Sequence, residues 1–69
     1  MPLNVVSSGE NFLIKKIIGK EEVRRFLENL GFVAGAQVSV VSEISGNIIV
    51  QIKDSRVAIS REMAQKIIV

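Results

Sequence analysis

Apolar residues follow two different periods along this chain, and the change of period marks the elements. Between Glu21 and Gly35 the sequence reads EEVRRFLENLGFVAG. Val23, Phe26, Leu27 and Leu30 recur at i, i+3, i+4 and i+7, the apolar stripe of one short helix. Lys20, Arg24, Arg25, Glu28 and Asn29 take its wet side. Gly19 ends the preceding segment and is the expected N-cap; Glu21 and Glu22 fall in the first turn, where carboxylates complement the positive end of the helix dipole. Gly31 stands where a left-handed stop residue belongs, and Phe32 behind it is placed to pack back on Leu27.

Elsewhere the period is two. Phe12 to Ile18 reads as a first strand, with alternation broken where Lys15 and Lys16 sit between Ile14 and Ile17. A bulge at the lysine pair would turn both isoleucines inward. Val33, Ala34 and Gly35 make a tight connection into a second strand, Gln37 to Ile44, with Val38 and Val40 inward and Gln37 and Ser39 outward. Ser45-Gly46-Asn47 is a hairpin turn into the third strand, Ile48 to Lys53. Asp54-Ser55 turns into a fourth, Arg56 to Ser60, with Val57 and Ile59 on one face. Arg61 to Lys66 has room for about one helical turn. Ile67-Ile68-Val69 then closes the sheet and covers an edge. In the lead-in, Pro2 to Gly9, the apolar Leu3, Val5 and Val6 are suited to tuck under a barrel mouth.

These elements predict a mainly β domain spanning residues 1–69. The expected fold is a small five-stranded barrel of the Src-homology-3-like kind. One α-helix lies between strands one and two, and a short helical turn precedes the last strand. A split α+β sheet with the helix on one face is the alternative.

Composition narrows the chemistry. At 69 residues and 48% apolar content, the chain must rely on one small core. It has no cysteine, hence no disulfide and no thiolate metal site, and no histidine, the usual zinc ligand and neutral-pH base. Seven serines therefore lack the partners that activate a nucleophile. The adjacent Glu21 and Glu22 point about 100° apart on a helix and make no cage for a hard cation. The five glycines fall in no phosphate-cradling string. No apolar run approaches the ~20 residues of a membrane span, and the start has no signal-peptide pattern, so the expected location is the cytoplasm. Net charge is +2, with both signs interspersed, which reads as ordinary solubility. Lys15, Lys16, Lys20, Arg24 and Arg25 are the densest basic group, but Phe12, Phe26 and Phe32 are expected in the core, leaving no aromatic platform for nucleobases.

Three segments carry a family resemblance: SSGENFLIKKIIG, RRFLENLGFVAGAQVSVV and VAISREMAQKIIV. In their order and spacing the chain resembles the FeoA family, small cytoplasmic partners of the bacterial ferrous-iron transporter FeoB. The central segment matches the family's basic pair, leucine, leucine-glycine and second glycine before a strand. The closing segment matches its aliphatic strand, acidic residue, alanine and aliphatic end. One departure is the bare Ser45-Gly46-Asn47 turn, where the family often has a longer, proline-containing loop. The same barrel also resembles the carboxy-terminal domain of iron-dependent repressors of the diphtheria-toxin-repressor family; a chain running from Met1 to Val69 fits the transport accessory better. The resemblance implies a non-enzymatic protein that binds FeoB or regulates its GTP-dependent iron uptake, located at the inner membrane only through that partner. It associates the chain with iron, although no ligand set, and no cofactor, is identified in the residues.

The expected partner surface is Lys20, Arg24, Arg25, Glu28 and Val33, held in shape by the turns at Gly31 and Gly35. A nucleic-acid-binding barrel using the five basic residues is the alternative, and exposed strand edges leave pairing with a second copy open.

Overall fold

The computed structural model describes residues 1–69. A 3-10 turn at Leu3–Val5 is followed by strands β1 (Asn11–Leu13) and β2 (Lys16–Ile17). Helix α1 (Glu21–Asn29) comes next, then β3 (Gln37–Ile44), β4 (Asn47–Ile52) and β5 (Ser55–Ser60). Helix α2 (Arg61–Ala64) and strand β6 (Ile67–Ile68) complete the chain. An antiparallel sheet of order β1-β3-β4-β5 faces a two-stranded β2-β6 ladder, so the barrel-like architecture is built from six strands rather than the expected five.

The extra strand comes from the lysine pair. The expected Phe12–Ile18 strand is cut in two at Ile14 and Lys15. Ile14 still belongs to the large sheet, donating its N–H to the Ala36 carbonyl and accepting from the Gly35 N–H. One residue later the Lys15 N–H donates to the Ile68 carbonyl at 2.7 Å. The chain thus changes sheets between these two residues instead of bulging within one. Ile14 is buried as expected, and Ile17 is half-buried against the core. The ladder irregularity lies elsewhere, between Val40 and Ser42, where the extra residue Val41 is pushed out to solvent. A bulge bends its strand and raises the local twist, which helps an eight-residue β3 curve over a small core.

Alternation in β3 and β4 behaves as read. Val38, Val40, Ile48, Val50 and Ile52 are buried, while Gln37 and Gln51 are exposed. The β3–β4 turn is Ser45-Gly46, both at positive φ, with Asn47 already paired to Ile44. The β4–β5 turn sits one residue earlier than expected, on Lys53-Asp54, and Ser55 pairs with Ile52. Ser60 caps α2: its hydroxyl accepts from the Met63 N–H at 3.1 Å.

Helix α1 closes with the expected glycine stop. The Phe32 N–H donates to the Leu27 carbonyl and the Gly31 N–H to the Glu28 carbonyl, the paired bonds of a Schellman motif. Gly31 has φ +108°, and Phe32 and Leu27 are both fully buried. Two expectations fail at the other positions. Lys20, not Gly19, is the N-cap, with extended backbone and no side-chain cap bond; Gly19 takes φ +110°, a turn role that leaves the cap to its neighbour. Phe26 is 49% exposed rather than core. On a helical wheel it lies at the margin of the stripe centred between Val23, Leu27 and Leu30, and a nine-residue helix buries only that centre.

The two chain ends meet. The Val69 N–H donates to the Met1 carbonyl, and the Met1 amino group donates to the Val69 carbonyl, each at 2.7 Å. Leu3, Ala64, Ile67 and Val69 seal that end of the core.

Candidate protein-contact surface

Positions 21, 24, 25 and 28 are spaced i, i+3, i+4 and i+7, so an α-helix lines them up on one face. In α1 these residues are Glu21, Arg24, Arg25 and Glu28, and they surround a shallow, wholly polar depression of about 240 Å³. Arg25 Nη2 donates to Glu21 Oε1 at 2.5 Å across one turn. Both side chains remain about 70% exposed, so the pair contributes little to stability. Arg24 and Lys20 belong to no ion pair; the other pair in the protein joins Arg61 to Glu43 between α2 and β3.

Of the five residues expected to meet a partner, Arg24, Arg25 and Glu28 are brought together at this depression. Lys20 stands at the N-terminal end of α1, and Val33 follows the glycine stop at the other end, 38% exposed; neither lines it. Glu21 lines the depression as well, in addition to its helix-start role. The signal was available, because glutamate four residues before arginine is the favourable i, i+4 order. Gly31 and Gly35, at φ +108° and +89°, shape the loop that returns the chain to β3. The Gly35 N–H is anchored on the Ile14 carbonyl, so this loop is tied to the strand switch.

A second concavity lies on the outer face of the large sheet and was missed by the sequence reading. Asn11, Gln37, Ser39, Gln51 and Lys53 line it. Outward-facing Gln37, Ser39, Gln51 and Lys53 were legible from alternation, but Asn11 joins them only through the β1–β3 pairing.

No three of His, Cys, Asp and Glu gather anywhere in the fold. No helix is long and apolar enough to cross a membrane.

A small, partly open antiparallel barrel is Src-homology-3-like architecture, and solved structures of this shape bear that out. The crystal structure of an iron uptake regulatory protein (FeoA) superposes with a TM-score of 0.88 at 25% identity, covering 97% of this chain and 91% of that one. A FeoA from Stenotrophomonas maltophilia, solved with zinc and described as a prokaryotic SH3 domain protein, gives 0.86 at 22% identity, covering 99% and 87%. In sequence, a provisionally named Fe(2+) transport protein A from Methanocaldococcus jannaschii is 32% identical over 68 residues, 99% of this chain and 83% of its own length. The FeoA domain profile matches residues 1–69, and the chain belongs to the FeoA family. A manganese-dependent transcriptional repressor shares the fold, at TM-score 0.86 and 21% identity, over 39% of its own length.

Proposed function

We propose that this chain is a non-enzymatic accessory protein of ferrous iron uptake that works in the cytoplasm by binding the membrane GTPase transporter FeoB. Contact runs through the outer face of α1 and its flanking turns, with Lys20, Arg24, Arg25, Glu28 and Val33 as the contributing side chains, and any membrane association is through that partner. The observation that carries this reading is the α1 depression. Arg24 there has no intramolecular carboxylate partner, and on another side of the same helix Phe26 is half-exposed. Arginine and aromatic side chains are the types enriched at protein interfaces, and a charged rim steers encounter. Membership of the FeoA family and the likeness to an Fe(2+) transport protein support the transport setting.

Binding to full-length FeoB in detergent, and separately to its cytoplasmic GTPase part, tests the proposal. The double variant Arg24→Glu, Arg25→Glu is expected to weaken association by about tenfold or more. Unchanged affinity removes the α1 patch, and no association of the unmodified chain with the full-length transporter removes the partner. The nucleic-acid alternative gains one exposed ring, Phe26 on α1, but Phe32 is buried and Phe12 half-buried, so no row of aromatic rings accompanies Lys15, Lys16, Lys20, Arg24 and Arg25.

A further inference from the structure

The outer face of the four-stranded sheet carries a polar row that runs in register across every strand. Asn11 on β1 is opposite Ser39 on β3, Ser39 is opposite Gln51 on β4, and Gln51 is opposite Arg56 on β5. Gln37 and Lys53 flank this row and, with Asn11, Ser39 and Gln51, wall a cleft of about 310 Å³. That volume lies at the lower end of ligand-sized sites.

Two features mark this cleft on the sheet face. The protein has sixteen Lys, Arg, Asp and Glu residues, yet Lys53 is the one ionised side chain lining the cleft, and no carboxylate does. Three of the seven amide side chains in the whole chain, Asn11, Gln37 and Gln51, converge there. Lys53 itself is held at φ +53°, a left-handed turn position that glycine, asparagine or aspartate fills more cheaply.

We propose that this cleft binds an extended peptide segment bearing aspartate or glutamate. Primary amides both donate and accept, so Asn11, Gln37 and Gln51 match the alternating N–H and C=O groups of an extended backbone. Lys53 and the neighbouring Arg56 supply the charge for side-chain carboxylates. Leu13, opposite Gln37 and 63% exposed, offers an apolar contact at the rim. Nucleic acid is the poorer occupant, because no aromatic side chain lines the cleft to stack on a base. The site shares no residue with the α1 depression, so it stands whether or not that surface meets FeoB.

The test is titration of the isotope-labelled protein with three probes: an acidic extended octapeptide, its lysine-substituted counterpart and a single-stranded oligonucleotide. The acidic peptide is expected to shift the amide signals of Asn11, Gln37, Ser39, Gln51 and Lys53, with the side-chain amides among them. Lys53→Asn keeps a residue that tolerates the left-handed turn and is expected to weaken binding about fivefold. Lys16→Asn, on β2, leaves it unchanged. Amide spectra confirm that both variants are folded. Overturning results are shifts confined to α1, equal binding of the lysine peptide, preference for the oligonucleotide, or no saturable shift with the acidic peptide at millimolar concentration.

Discussion

Backbone conformation at single residues explains more of this protein than side-chain chemistry does. Gly31 has φ +108°, and a Cβ built there meets Ile52 Cγ1 at an ordinary 3.5 Å. Space is therefore not the constraint; the left-handed backbone is. Gly31→Val should destabilise by more than about 1 kcal/mol, because a β-branched residue is badly suited to that region. Denaturant melts check this, and an unchanged midpoint would mean that the glycine stop carries no strain. Ser45 is the converse case. It sits at φ +50° beside Gly46 at +81°, the backbone of a type I′ hairpin turn that favours Asn-Gly. Ser45→Asn is expected to stabilise by about 0.5 kcal/mol, seen as a higher Tm. Gly31 was legible in sequence because it follows a clear apolar stripe. The Lys53 turn was not, because lysine carries no turn signal and alternation alone places a turn only to within a residue.

At the scale of elements, α1 and α2 are held differently. Helix α1 has no side-chain N-cap and relies on the burial of Leu27, with Val23 and Leu30 half-buried beside it. Its Arg25–Glu21 pair is an exposed i, i+4 pair, so Arg25→Ala should cost no more than about 0.5 kcal/mol. A larger loss in thermal unfolding would show that the charged face is structural and weaken its assignment as a contact surface. Helix α2 is a single turn and depends on its cap. Ser60→Ala removes the acceptor for the Met63 N–H and should cost about 1 kcal/mol, measured by equilibrium unfolding, whereas Ser60→Asp should restore most of it. The apolar stripe of α1 was readable, but the fate of Phe26 was not. Periodicity gives the stripe's direction; its buried width depends on how much sheet lies beneath, which is a tertiary quantity.

For the whole molecule, the short β2–β6 ladder and the paired ends close what the four-stranded sheet leaves open. Ile67 is fully buried and pairs with Ile17. Ile67→Ala should cost about 2–5 kcal/mol, comparable with the few kcal/mol a core of this size supplies, so the variant should lose cooperative melting by circular dichroism near room temperature. A sharp transition within a few degrees of the unmodified protein would show that the ladder is dispensable. The closing role of Ile67 and Ile68 was legible, since an aliphatic end after a helical turn needs an edge to join. The sheet switch at Ile14 and Lys15 was read as a bulge because both arrangements turn Ile14 and Ile17 inward. Local alternation cannot tell a strand that kinks from one that changes partner.

Sequence alone determined the helix and its glycine stop, the β3–β4 hairpin, the helical turn near the end and the absence of any cysteine or histidine chemistry. These depend on period, turn residues and composition, which act within a few residues of one another. Tertiary structure decided the six-strand count, the exposure of Phe26, and the register that sets Asn11, Ser39, Gln51 and Arg56 in one row. Those features join residues far apart in the chain, and only the packing of two sheets around one small core selects among the pairings that the local pattern allows.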